Sequence, residues 1–196
     1  MPGEIVLSAL KQVWLALEKL GLPRALMGGV ALSAWERVRA TQDVDVLVDL
    51  QGMEPDRFLA ELEKAGLKRL KPQPLVQIGQ TRFMQFKCEP KGTFVEVQVD
   101  LQFADSEFQK SALARRVSGG LPDLGVPIDV LSCEDLIIMK LEAGRIIDRA
   151  DAVALLKVNR PQIDISYVVR WVNKAGLHKE WTEVWQEAFP GEPPPS

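Results

Sequence analysis

The chain has 196 residues, 46% of them hydrophobic and 26% charged, and a formal net charge of −3. It is long enough to bury a core and too acidic to coat nucleic acid, so a nucleic-acid substrate would have to meet a local basic patch. A single histidine, His178, leaves little scope for His-based triads, and the isolated cysteines Cys88 and Cys133 argue against structural zinc.

No basic-then-apolar leader opens the chain, and no apolar run approaches the ~18 residues of a membrane span. A cytoplasmic chain with no membrane partner is expected. Apolar residues at near-helical spacing predict a first helix from Ile5 to Leu20, ended by Gly21 and Pro23. Ala25–Met27 reads as a short strand running into Gly28-Gly29, and Val30 to Val38 as a helix. A strand with two acids follows from Asp43, then an amphipathic helix from Pro55 to Ala65 closed by Gly66. Leu67–Leu70, Val76–Ile78, Phe83–Cys88 and Phe94–Phe103 read as strands. Ser106 to Arg116 is the next expected helix, Gly119-Gly120 and Pro122 mark a loop, and Val126–Leu131 reads as an edge strand because it contains Pro127. From Ser132 onward only helices are expected: Ser132-Cys-Glu-Asp135 into Ala143, Arg149–Val158, Ile163–Lys174 and Lys179–Phe189. The Pro/Gly-rich 190–196 tail is expected to be disordered. These elements make an α/β (α+β) chain: a mixed-sheet domain over residues 1–131 and a helical region over 132–189 packed on it.

The chemistry concentrates between Met27 and Asp49. Strand alternation puts Asp43, Asp45, Leu47 and Asp49 on one face and Val44, Val46, Val48 and Leu50 on the other. The two leading carboxylates then stand ~7 Å apart at Cα, close enough to share metal ions. A glycine pair opening a helix just before them offers backbone N–H groups to a phosphate. The Phe94–Phe103 strand has the same two-faced design, with Val95, Val97, Val99, Leu101 and Phe103 opposite Glu96, Gln98, Asp100 and Gln102. Each piece alone also reads as a tight turn or a solvated strand face. Jointly they suit metal-assisted chemistry on a nucleotide.

Gly28-Gly29, thirteen residues, then Asp43-Val-Asp45 among apolar neighbours resembles the signature of the nucleotidyltransferase superfamily with the DNA polymerase β fold. Arg39-Ala-Thr41-Gln-Asp43-Val-Asp45 resembles more narrowly the AbiEii branch, whose members include toxins of abortive-infection and toxin–antitoxin systems. Weaker matches carry the likeness to about Leu156. Asp135-Leu-Ile-Ile-Met-Lys140-Leu and Arg145-Ile-Ile-Asp148-Arg149-Ala-Asp151 follow the order of that branch's later motifs. Where many relatives have a small residue before Arg-x-Thr, this chain has Glu36-Arg37.

The resemblance implies Mg2+ or Mn2+ held by Asp43, Asp45 and a third carboxylate, Asp100, with Glu96 as the alternative. It implies a nucleoside triphosphate bound by Gly28, Gly29, Arg39, Thr41 and Lys140. Asp151 would be a supporting acid, with Asp148 as its alternative. Asp43, Asp45, Asp100 and Lys140 would then be the catalytic residues. An RNA, protein or small-molecule acceptor and an antitoxin partner belong to the same implication.

The bland readings remain beside it. Lys140 interrupts an apolar helix stripe and could simply lay its stem on the core. Arg37, Arg39, Arg115, Arg116, Lys157 and Arg160 could form a patch for a polyanionic acceptor or be ordinary surface charges. Trp171, Trp181 and Trp185 read as core. A module that binds nucleotide or protein without turnover, and a phosphohydrolase using the same acids, are the rival functions.

Overall fold

Alternating apolar residues build a central sheet, and helices with one apolar stripe cover it. The computed structural model describes residues 3–79, 81–119, 121 and 124–196. The chain runs through α1 (Glu4–Lys19), β1 (Arg24–Met27), α2 (Gly28–Ala31), β2 (Asp43–Val48), α3 (Pro55–Lys64), β3 (Lys68–Arg69) and β4 (Leu75–Ile78). It continues with β5 (Thr81–Cys88), β6 (Val97–Phe103), α4 (Glu107–Ala114), β7 (Val117–Ser118) and β8 (Asp129–Val130). The helices α5 (Cys133–Ala143), α6 (Ile146–Asn159), α7 (Ile165–Ala175) and α8 (His178–Ala188) complete it.

Among the described residues the strands form one mixed sheet ordered β3-β5-β6-β2-β1-β8-β7, with β4 also paired to β5. The parallel pair β2–β6 lies at its centre, with Asp45 opposite Asp100, and β5 runs antiparallel beside it with Gln85 opposite Asp100. Side chains in register on neighbouring strands share a face. One face therefore collects Val44, Val46, Val99, Leu101 and Phe103, all fully or nearly fully buried. It is covered by α1, whose buried Leu10, Val13, Trp14 and Leu17 recur at helical spacing, and by α3, whose Phe58 meets Phe103 edge-on at 5.8 Å. The other face carries the acids.

Several elements depart from expectation, each for a local reason. The helix predicted over Val30–Val38 starts earlier and stops sooner: one α turn at Gly28–Ala31 continues as a 3-10 turn over Leu32–Trp35. Glu36 ends it in the left-handed conformation, φ 60, which is uncommon for a residue with a side chain. β6 begins at Val97 rather than Phe94; Phe94 is fully exposed and Val95 is 47% exposed, so neither joins the core face. β8 is interior, between β1 and β7, and Pro127 precedes it instead of sitting on an edge. The true edge, β7, falls where the sequence pattern suggested helix end and loop; Gly120 and Pro122 of that loop lie outside the described residues.

α5 starts as expected, with the Ser132 hydroxyl accepting from the Asp135 N–H. Trp171, Trp181 and Trp185 are buried, as expected of core residues. In the tail expected to be disordered, the Trp181 indole N–H donates to the Pro195 carbonyl at 3.0 Å and Arg160 pairs with Glu192. Among the described residues no helix is long and apolar enough to cross a membrane.

Candidate active site

Parity along the strands dictates the site. Ile78 pairs with Thr81, Phe83 with Gln102, Asp100 with Asp45, and Asp45 with Met27, so all seven stand on one face across five strands. α5 lies over this face and leaves a cleft of about 470 Å3. Met27, Gly28, Asp45, Asp100, Gln102, Phe83, Thr81 and Ile78 line one side, and Leu136, Met139, Lys140, Glu142, Ala143, Arg145 and Asp148 the other.

Gly28 is where chain and chemistry meet most closely. Its φ is +65, and a Cβ at this position would overlap the Asp45 carboxylate. Only glycine satisfies both demands. A Cβ on Gly29 would lie 2.6 Å from Thr41 Oγ1, and the Gly29 N–H donates to Asp45. The expected positive helix end is thus a single α turn whose Gly29 N–H already serves a carboxylate. Thr41 donates its hydroxyl to Asp43, which holds the loop carrying Arg39 and Thr41 against the acidic strand.

The acids repel one another. Burial, with the charges of Asp43 and Asp100 alongside, pushes Asp45 up to about 7, while Lys140 and the Gly29 N–H pull it down. Burial also raises Asp100, opposed by hydrogen bonds from Gln98 at 3.1 Å and Gln85 at 3.2 Å. Glu96, the alternative third acid, is drawn away instead, pairing with Lys87 and Lys68 at the far end of the sheet. Among the described residues no three His, Cys, Asp or Glu side chains converge tightly enough to hold a metal ion. Asp43 is turned to Thr41 and Asp100 to its glutamines. The donor chemistry nonetheless fits a hard divalent cation: three carboxylates on one sheet face, with repulsion that such an ion would relieve.

Opposite the acids lies a buried ionic hub. Lys140 Nζ is 2.6 Å from Asp148 and 3.2 Å from Asp151, so the supporting acid first expected at Asp151 shares the role with a nearer Asp148. Asp151 also takes Arg39 at 3.1 Å and Arg37 at 3.3 Å, and Asp148 takes Arg145. Burial would raise Asp148, but hydrogen bonds from Arg145 and Lys140 hold it below the usual carboxylate range. Four cations surround two fully buried carboxylates. Such a hub is costly to desolvate, and of its four cations Lys140 and Arg145 line the cleft. Asp151 itself does not line the cleft; it reaches a ligand only through the cations it holds. Of the remaining basic candidates, Arg115 pairs with Glu134, Arg116 with Asp129 and Arg160 with Glu192, while Lys157 is exposed on α6.

Sequence reasoning missed Phe83, Ile78 and Gln102 as walls and Gln85 and Gln98 as anchors of Asp100. Alternation along β5 and β6 carried that signal, because it places Phe83, Gln85, Gln98 and Gln102 on the acid face.

Gly28→Ala tests the close approach, with Gly144→Ala as control. Both positions have φ +65, but a Cβ on Gly144 meets nothing closer than 3.9 Å. Both variants should lose about 1–2 kcal/mol to the left-handed backbone. Only Gly28→Ala should also lose activity, on the order of 100-fold, as the Asp45 carboxylate is displaced. Melting curves and transfer assays read the two effects separately.

The architecture recurs in solved structures. An antigenic nucleotidyltransferase-like protein from Paracoccidioides brasiliensis is 19% identical with a TM-score of 0.53, covering 94% of each chain. JHP933 from Helicobacter pylori is 16% identical with a TM-score of 0.53, covering 96% of this chain and 82% of its own. ANT(2″)-Ia, solved in complex with adenylyl-2″-tobramycin, is 16% identical with a TM-score of 0.51, covering 89% of this chain and 98% of its own. No curated protein matches the chain significantly. These likenesses define the class by its fold, that of the polymerase-β-like nucleotidyltransferases. The model of the family described as "Nucleotidyl transferase AbiEii toxin, Type IV TA system" matches residues 9–173, and the chain belongs to that family. It is a nucleotidyltransferase.

Proposed function

We propose that this chain transfers a nucleoside monophosphate from a nucleoside triphosphate to a hydroxyl of an RNA, protein or small-molecule acceptor, releasing pyrophosphate. The observation that carries this reading is the register of Asp45 against Asp100, beside Gly28 and across the cleft from Lys140. Asp43, Asp45 and Asp100 would hold Mg2+ or Mn2+, which supplies Lewis-acid stabilisation of charge on the transferring phosphoryl group. Gly28 lets the backbone approach the triphosphate, and Lys140 with Arg145 offsets the negative charge that grows on the departing pyrophosphate. The acceptor oxygen bonds to the α-phosphorus as the bond to pyrophosphate breaks, and the hydroxyl proton passes to Asp100. Arg39 and Thr41 are nucleotide-binding through the loop they hold to Gly29 and Asp43. Residues 1–131 carry the acids and 132–189 the lysine, so both parts are needed.

The family description supports a place in a toxin–antitoxin pair, with an antitoxin as partner. Ligand-induced stabilisation tests the reading. At a hundredfold excess over its dissociation constant, the preferred triphosphate with magnesium should add about 2.7 kcal/mol. That is a rise in melting temperature of roughly 5–10 °C for a chain of this size. No shift with any of the four triphosphates would remove the donor site.

A further inference from the structure

Resting on the transfer reading, the geometry points to a slot for the terminal nucleobase of a nucleotide acceptor, formed by Phe83, Ile78 and Met139 with Gln102 at its edge. The cleft is polar at one end and apolar at the other. Its cations belong to the first end: Lys140 acts electrostatically on Asp45, and Arg145 on Asp45 and Asp43. The other end begins at Asp100. Two residues further along β6, on the same face, stands Gln102, and its cross-strand neighbour is Phe83. Ile78 extends that surface from the β4–β5 hairpin, and Met139 faces it from α5.

Ile78 is 67% exposed, although it lines a cleft and has an apolar neighbour in Phe83. Phe83, Gln102 and Met139 are half-buried. A flat ring entering here meets an aromatic face, a branched aliphatic and a polarisable thioether. The Gln102 amide offers both a donor and an acceptor to the ring's edge. Among the described residues no hydrogen bond occupies that amide. In-line displacement at the α-phosphorus brings the attacking hydroxyl from the side opposite the pyrophosphate. With the triphosphate at the cationic end, the acceptor approaches past Asp100, and the part that precedes its hydroxyl lies in the apolar end. The absence of lysine or arginine among the lining residues at that end suits a base rather than a run of phosphates.

The test uses the full chain saturated with a non-hydrolysable α,β-methylene triphosphate. Trinucleotide RNAs ending in each of the four bases are then titrated by calorimetry. Ile78→Asp places a charge at an exposed position, and Gln102→Leu keeps shape while removing the edge contacts. At least one trinucleotide should bind the saturated wild type, and each variant should weaken it roughly tenfold. Triphosphate affinity should stay within about twofold. Loss of triphosphate affinity in both variants would assign the slot to the donor's own base. Unchanged trinucleotide binding, or none in the wild type, would overturn the slot altogether. If instead the wild type binds no triphosphate, the transfer reading fails separately.

Discussion

Asp45→Asn should abolish nucleotidyl transfer and, in metal-free protein at neutral pH and above, raise the melting temperature. Both effects follow from one carboxylate. A neutral amide is a poor ligand for a hard cation, and losing several kcal/mol of charge stabilisation in the transition state costs on the order of 10³-fold in rate. The stability effect has the opposite sign because burial and the neighbouring Asp43 and Asp100 push Asp45 up to about 7. A carboxyl raised above its ordinary value of 3.8 binds its proton more tightly folded than unfolded. The wild type therefore loses stability as pH rises from about 4 to about 7. Asparagine carries no such penalty, so the variant's advantage should be absent near pH 4, grow up to neutrality and level off above it. Asp43→Asn should lose activity similarly. Near-wild-type transfer by either variant under saturating magnesium would show that the acids do not hold the metal.

Lys140→Met should reduce transfer by roughly 10²–10³-fold, as expected for removal of one charge placed to stabilise the transition state. Methionine keeps much of the stem's packing and removes the ammonium from a side chain that is only 7% exposed. Breaking a buried ion pair often costs about 3–5 kcal/mol because the partner is left uncompensated. Here Asp148 retains Arg145, and Asp151 retains Arg37 and Arg39. The melting temperature should accordingly change by no more than about 4 °C. Triphosphate binding should weaken in parallel with activity. Full activity with a markedly lower melting temperature would make Lys140 a structural residue.

The site was legible wherever a single segment determined it. Alternation alone placed Asp43 and Asp45 together, whereas the glycine pair, read as a cradle for phosphate, gave no sign that Gly28 packs against the Asp45 carboxylate. The AbiEii likeness, carried by Arg39 through Asp45, reached the family that residues 9–173 match. The matching two-faced design of β2 and β6 pointed to one sheet with acids on a common side, which the pairing bears out, but the exact register was not legible. That Asp45 faces Asp100 depends on the register of β2 against β6, which both strands' patterns allow but neither dictates. The likeness to AbiEii motifs offered Asp151, with Asp148 as its alternative, without saying that both would reach Lys140. Local patterns also overran their elements. Phe94 and Val95 continue the alternation of β6, yet the ladder starts at Val97 opposite Cys88. The apolar run after Gly29 continues past the point where Glu36 turns left-handed. Pro127 suggested an edge, but it precedes the two residues that pair.

The central claim is that the cleft moves a nucleoside monophosphate, and the fate of each phosphate tests it most directly. The chain is incubated with magnesium, cell extract and one nucleoside triphosphate labelled in turn at the α- and γ-phosphates. The account predicts that α-label enters an acceptor, that γ-label leaves as pyrophosphate, and that Asp45→Asn does neither. γ-Label appearing as free phosphate with no α-transfer, or triphosphate binding with no turnover of either label, would contradict it.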